Sequence, residues 1–375
     1  MTPYRQECLA LSLIKGINAQ VTRRILEILG DIHEFFQIDL RAVSRMVEVN
    51  DSFLHVLNGR EAALAKAAEE LRFAERHNIR VLGLVDDETY PSRLSQCEDA
   101  PVCLFVLGDA DLDSERLLAV VGTRRCSAYG QAYTAKIIEE VRDCAGETTI
   151  VSGLAYGIDK AAHDTALRLD MPTVAVLAHG LGMVYPAQHK GLAKEILRKG
   201  GALVSEYLHD VRPFRGNFLE RNRIIAGLCD AVFVAESPLR GGALNTAAHA
   251  RGYDREVLAL PGRASDEISA GCNKLIGRQL ALLATTGKDV AEGAGWEIIS
   301  ARHAAQDKSQ HSIFDIYTGC TKSVYEYLKS QPAPVSIDNI VSHTGLGTRD
   351  VMSAIGELDL DGLLTRHPGA RLSLS

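Results

Sequence analysis

Six short runs rich in β-branched and aliphatic residues, at 118–121, 149–151, 173–177, 202–204, 231–235 and 257–260, recur through the middle of the chain with amphipathic helical stretches between them. That alternation is the pattern of a parallel sheet with crossover helices. The runs are continuously apolar, as strands buried on both faces are, and a chain of 375 residues that is 46% hydrophobic can supply the core they need. The expected fold is therefore α/β, a Rossmann-like, mostly parallel sheet with flanking helices. Ligands of such sheets bind beyond the carboxyl ends of the strands. The turns there are Gly122-Thr123-Arg124, Ser152-Gly153-Leu154, His179-Gly180, Ser205-Glu206, Glu236-Ser237 and Pro261-Gly262. No Gly-x-Gly-x-x-Gly follows the first of these runs and no Walker A sequence occurs, so dinucleotide and ATP fingerprints are both missing.

What the turns do carry is suited to phosphate. Gly122 brings the backbone close to a ligand, and Thr123, Arg124 and Arg125 offer a hydroxyl and two guanidiniums, although a capped helix start with a solvated Arg pair explains the same residues. Ser152 and Gly153 repeat the device on the next strand, ahead of a helix starting near Asp159, which reads as that helix's cap. Lys160 either reaches a phosphate or is solvated, and His163, with no local nucleophile, reads as a packing residue. The run Phe218-Leu219-Glu220-Arg221-Asn222-Arg223 opens an apolar helical stretch with an aromatic ring and two cations. In a nucleic-acid site Phe218 stacks on a base, Arg221 and Arg223 clamp the backbone, Asn222 bonds a base edge or a neighbouring turn, and Arg215 adds a phosphate contact. Phe218 is equally a candidate core anchor. Gly241 and Gly242 precede a helix over 244–251 whose amides can hold an anion, and Lys274 is a further cationic candidate.

These blocks, Val120-Val121-Gly122-Thr123-Arg124-Arg125, Val151-Ser152-Gly153-Leu154-Ala155-Tyr156-Gly157-Ile158-Asp159, the Arg221-Asn222-Arg223 helix and Arg240-Gly241-Gly242-Ala243-Leu244-Asn245-Thr246, stand in the order and spacing of the DprA (Smf) family of DNA-processing proteins, which residues 80–287 resemble. The resemblance implies a non-enzymatic protein that binds single-stranded DNA, protects incoming DNA during natural transformation and helps load the RecA recombinase, acting as a homodimer, with no cofactor. One block departs from the family: Gly241 and Ala243 stand where hydroxyl residues are common, so backbone amides alone remain there. The main alternative is a nucleotide phosphoribohydrolase of the lysine-decarboxylase-like family. Its Pro-Gly-Gly-x-Gly-Thr-x-x-Glu block has no counterpart to the catalytic Glu here. A protein-interaction scaffold is a third reading, which leaves the clustered Arg and Gly turns without a purpose.

The flanks read as separate pieces. Residues 1–80 are expected to form a helical domain similar to a sterile-alpha-motif or helix-hairpin-helix unit around Lys15-Gly16-Ile17-Asn18, with an ordinary helical hairpin the simpler alternative. Residues 81–296 form the sheet domain, 297–315 a linker, and 316–375 a winged-helix-like domain with helices over 323–328, 337–343 and 348–361 and a hairpin over 363–374. The presumed recognition helix of that last domain is acidic, with Asp350, Glu357, Asp359 and Asp361 against Arg349, which favours a protein-contact or structural role over DNA. Charge is distributed accordingly: residues 121–280 hold 20 Lys and Arg against 17 Asp and Glu, while the whole chain is at −7, so the remainder stands at −10. Eight cysteines without a Cys-x-x-Cys pair indicate neither a zinc site nor a disulfide framework. With no long apolar span and no signal-peptide core, the expected location is cytoplasmic.

Overall fold

The computed structural model describes residues 3–38, 59–85, 88–299, 319–331, 333–360, 363–367 and 371–374. The chain divides into two compact units, Met1–Ile299 and Ser300–Ser375. In the first unit, α1 (Pro3–Leu13), α2 (Ala19–Leu29), α3 (Ile32–Gln37) and α4 (Arg60–Arg76) precede β1 (Ile79–Gly83), α5 (Ser92–Ser95) and β2 (Cys103–Gly108). Then comes the alternation expected from the sequence: β3 (Leu117–Gly122), α6 (Ala128–Ala145), β4 (Thr149–Ser152), α7 (Ile158–Arg168), β5 (Thr173–Val176), α8 (Lys190–Arg198), β6 (Ala202–Ser205) and α9 (Arg215–Leu228). The series ends with β7 (Ala231–Glu236), α10 (Ala243–Gly252), β8 (Glu256–Ala259), α11 (Ala270–Gly277), β9 (Leu282–Leu283) and α12 (Gly287–Gly293).

The nine strands form one sheet in the order β1-β2-β6-β5-β4-β3-β7-β8-β9. From β6 to β9 every pairing is parallel, while β1–β2 and β2–β6 are antiparallel. The fold is thus a mostly parallel Rossmann-like sheet, and the order reverses at β3, which lies between β4 and β7. All six apolar runs are strands, and β3, β4, β5 and β7 are buried along nearly their whole length. One helix start shows how the sequence sets a boundary: the Ser127 side chain accepts the Gly130 amide as the N-cap of α6, which then buries Ile137, Ile138, Val141 and Ala145 against the sheet.

Two expectations about domains need correction. The boundary at 80/81 does not divide one core from another. Leu9, Leu11, Phe35 and Leu71 of the N-terminal helices pack in one cluster with Val81 of β1 and Phe105 of β2, which the sequence reading did not count as strands. The antiparallel pair gives the helices an apolar sheet face to bury. The start of the expected linker is likewise docked, since the Ile299 amide donates to the Cys144 carbonyl at 2.7 Å and Trp296 and Ile298 pack against the cluster under α6. The rest of the linker, 300–315, lies outside the described residues.

The second unit contains α13 (Gly319–Lys329), β10 (Val335–Ser336), α14 (Ile337–Thr344), α15 (Thr348–Leu360), β11 (Leu364–His367) and β12 (Arg371–Leu374). Val324, Leu328, Ile340, Val351, Ile355, Leu358 and Leu372 form its own core beside a three-stranded sheet ordered β10-β12-β11. No helix among the described residues is long and apolar enough to cross a membrane.

Candidate nucleic-acid interface

Beyond the carboxyl end of β3 the chain turns at Gly122, and the Thr123 amide donates to the Glu236 carbonyl at 2.7 Å, which ties this turn to the end of β7. Arg124 and Arg125 follow, both exposed, with no carboxylate partner among the described residues. The Arg124 guanidinium lies over the ring of Phe218, 4.8 Å from its centroid. Phe218 is half-buried in the first turns of α9, and its other neighbour is the Tyr185 ring at 6.0 Å. Arg215, the first residue of α9, is also exposed. An exposed cation on an aromatic face, next to a second cation, is a surface that can take both a base and a phosphate.

Beneath that surface sits a buried polar layer. Arg221 is only 3% exposed, donating to the carbonyls of Gly153 and Val176. Burial pushes its guanidinium down to about 10, against the opposing pull of the Asp159 carboxylate. Asp159 is itself buried, accepts the Ala155 amide at 3.4 Å, and is pushed up by burial while Arg221 pulls it back. The two side chains converge under Gly153, where a Cβ atom would lie 2.6 Å from an Arg221 nitrogen and 2.7 Å from an Asp159 oxygen. No residue but glycine fits there. Gly157, at φ 77°, caps α7 with its Cα against the Thr123 carbonyl, so the turns after β3 and β4 pack directly on each other.

The switch-point helix end is occupied from within. Glu236, at the end of β7 and fully buried, accepts hydrogen bonds from both the Ser127 amide, at 2.8 Å, and the Ser127 hydroxyl at the start of α6. A Cβ on Gly130 would meet that carboxyl group at 2.4 Å. In a nucleotide-binding fold of this topology the amides at the start of this helix hold a phosphate. Here a carboxylate of the chain itself stands in that place.

Residues 82–295, more than half of the chain, match the family model described as DNA recombination-mediator protein A. The chain belongs to the DprA family of DNA-processing proteins. A second model, the DprA winged helix domain, matches residues 318–370. Among similar proteins, the putative DNA processing protein DprA of Mycobacterium tuberculosis is 36% identical over 324 residues, covering 83% of this chain and 81% of the relative. The DNA processing protein DprA of Streptococcus pneumoniae is 43% identical over 204 residues, 54% of this chain and 71% of the relative. The X-ray structure of DprA from Streptococcus pneumoniae superposes with a TM-score of 0.62 at 32% identity, covering 78% of this chain and 98% of that one. A structure of DNA processing protein A from Helicobacter pylori, described for its single-stranded DNA binding mode, gives a TM-score of 0.50 at 29% identity, covering 57% and 94%.

Within this DprA-family framework several residues sit elsewhere than the sequence suggested. Arg221 cannot clamp a ligand backbone from its buried position, where Nη1 donates to the Gly153 and Val176 carbonyls and Nε to Asn222 Oδ1. Arg223 is turned to the Glu206 carboxylate at 2.5 Å, largely buried, whereas Asn222 takes the second of its two expected roles, bonding a neighbouring turn through the Gly242 carbonyl and the Asn245 side chain, each at 3.3 Å. The Ser152 hydroxyl donates to the Val120 carbonyl at 2.7 Å and is fully buried, so it knits β4 to β3 and does not face a ligand. Lys160 pairs with Asp164 one turn along α7. Asp159 is not the cap of α7, a role taken by Gly157. His163 packs as expected: its Nδ1 donates to the Thr173 hydroxyl at 2.7 Å, which in turn donates to the Ile150 carbonyl. Gly241 is packed on Ser237, whereas Gly242 is exposed at the N-terminus of α10 with open space around it. Lys274 is exposed on α11, with no contact to the Arg124–Phe218 pair. No group of three or more His, Cys, Asp or Glu able to hold a metal occurs among the described residues.

The sequence reading missed Glu236 as the occupant of the α6 N-terminus, a contact made across 109 residues of chain. It also passed over Phe214, which is 70% exposed one residue before α9. The signal for Phe214 was present in Arg212-Pro213-Phe214-Arg215, an aromatic residue between two cations ahead of a helix.

Proposed function

We propose that this protein is a non-enzymatic binder of single-stranded DNA whose contact surface is the turn formed by Gly122, Thr123, Arg124 and Arg125 together with Phe218 and Arg215, and with the exposed Gly242 end of α10. The observation that carries the reading is the Arg124 guanidinium stacked on Phe218 at a solvent-facing edge, beside two further unpaired cations. Arg221, Asn222, Arg223, Ser152 and Gly153 support that surface from below. Lys274 and Lys160 lie off the main contact. The Glu236 carboxylate argues against a nucleotide phosphoribohydrolase, because a nucleotide phosphate placed at the start of α6 would meet a negative charge there. The DNA-processing family and the single-stranded DNA mode reported for the Helicobacter pylori relative support the same ligand class.

The finer reading follows from the family resemblance: the protein protects incoming DNA in natural transformation, passes it to the RecA recombinase, and does so as a homodimer in the cytoplasm. The deciding experiment is a titration of labelled oligo(dT) against salt, run beside an assay for base release from nucleoside monophosphates. Salt-dependent binding with no base release is expected. Base release, or no binding at low salt, overturns the proposal.

A further inference from the structure

Among the strongly exposed large apolar side chains of the described residues, four are aromatic: Tyr129, Tyr156, Tyr185 and Phe214, at 40, 42, 47 and 70% exposure. Each follows the carboxyl end of a different strand, β3, β4, β5 and β6 in that order. Aromatic rings carry large apolar areas and are ordinarily packed inside, so their confinement to one edge of one sheet is not a random scatter. Three of them are also held in place. The Tyr129 hydroxyl donates to the Pro261 carbonyl at 2.9 Å, Tyr156 bonds Gln188 at 2.7 Å and meets the His189 ring edge-on at 4.8 Å, and Tyr185 neighbours Phe218. Phe214 lies against Gly216, where an added Cβ would approach its ring to 3.2 Å. Cations accompany the rings: the Arg124 guanidinium lies over Phe218, the neighbour of Tyr185, the Arg124 backbone packs on Gly157 next to Tyr156 in the chain, and Arg212 and Arg215 flank Phe214 in the sequence.

Because β6, β5, β4 and β3 are adjacent in the sheet, the rings are laid out across the strands. From β6 to β8, where Tyr129 is anchored, is five inter-strand steps, about 24 Å at roughly 4.8 Å each. Building on the DNA-binding reading above, we propose that this edge is a multi-base stacking track, in which Phe214, Tyr185, Tyr156 and Tyr129 add base platforms to the Arg124–Phe218 turn. Its ligand is a run of unpaired nucleotides of any sequence, laid across the strand ends with its phosphates on the interleaved arginines. At about 3.4 Å per stacked nucleotide, the edge holds up to about seven, and fewer when the bases are splayed. A mononucleotide or trinucleotide engages only a portion of it. Immobilised rings lower the ordering cost of binding, and because every base has a π face the track reads no sequence.

The test is a length series, dT3 to dT12, titrated against the full chain and against Phe214→Ala, Tyr156→Ala, Tyr156→Phe and Arg124→Ala, with thermal unfolding of each variant as a folding check. Affinity of the parent is expected to rise at least tenfold from dT3 to dT8 and then level off. Phe214→Ala and Tyr156→Ala should each weaken dT12 at least fivefold, the lower end of about 1 kcal/mol per stacked base converted to affinity, while Tyr156→Phe binds as the parent does. Arg124→Ala should weaken every length. Equal affinity for dT3 and dT12 overturns the track, as does parent-like binding of dT12 by both ring-deleted variants while Arg124→Ala still weakens it; the rings then belong to a surface for another macromolecule. If Arg124→Ala also leaves binding untouched, the DNA-binding reading of the edge falls with it.

Discussion

Two arginines in the same region of the fold illustrate how position overrides residue type. Arg124 is exposed on an aromatic face, whereas Arg221 is enclosed by carbonyls and faces Asp159. Arg124→Ala is expected to reduce the magnitude of the log-affinity against log-salt slope for oligo(dT) by about 0.7, the counterion term for one phosphate contact on a single strand, with little change in melting temperature. Arg221→Ala should do the reverse: it strands a buried carboxylate and two carbonyls, so a stability loss of about 3–5 kcal/mol is expected in chemical denaturation. A second residue test concerns pH. Burial pushes His163 down to about 3, so the folded state holds it neutral while the unfolded state takes up a proton below about pH 6.5. Between those values the unfolded chain binds more protons, and stability must fall as pH falls. Replacing His163 with Asn should flatten that dependence by up to one proton, about 1.4 kcal/mol per pH unit, read from unfolding at pH 4 to 7. An unchanged slope would show that His163 is already protonated in the folded protein. From sequence, the presence of Arg, Asn and Arg at 221–223 was legible, and their chemistry pointed outward. Which of them face solvent depends on the rotation of α9 against β4 and β5, and that is fixed by packing from strands 45 to 68 residues earlier.

The elements themselves were the more legible level. Continuous apolar runs marked six of the seven parallel strands, because burial on both faces leaves no polar alternation to confuse; the short, exposed β9 was not among them. The antiparallel strands β1 and β2 escaped, since β1 is short and interrupted by the exposed Arg80, and their partners lie in other stretches of the chain. The start of α6 is the element whose role was least visible. Its sequence, Ser127 followed by a helix, fits a ligand-holding N-terminus, and only the fold brings Glu236 from β7 to fill it. Glu236→Ala removes two charge-assisted hydrogen bonds from that helix end, so a loss of about 3–6 kcal/mol at full strength, at 1.5–3 each, is expected in thermal or denaturant unfolding, with Glu236→Gln recovering some of it. Stability equal to the parent would mean that the carboxylate contributes nothing to capping α6.

On the scale of the whole molecule, the exposed cations and rings that carry the proposed DNA contact all belong to the first unit, Met1–Ile299. The second unit has its own core, and its longest helix, α15, opens with Arg349 next to Asp350 and ends near Asp359, which pairs with Arg366. Deleting residues 300–375 is therefore expected to leave the oligo(dT) dissociation constant within about threefold, less than 1 kcal/mol, at matched salt. A larger loss in that titration would make the winged helix the principal reader. The charge balance of the chain points the same way, because the residues outside 121–280 stand at −10 and as a group oppose a polyanion, over a screening length of about 10 Å at 0.1 M salt. The carboxylate of Glu236 has a consequence at this scale too. Cells hold free nucleotides in great excess over any stretch of unpaired DNA, and a protein of this architecture with an open phosphate cradle would spend its time saturated by them. With Glu236 seated at the start of α6 that cradle is closed, so under the proposed reading a free nucleotide gains only a single ring and cation at the edge, where a strand with many phosphates and bases in a row gains several at once.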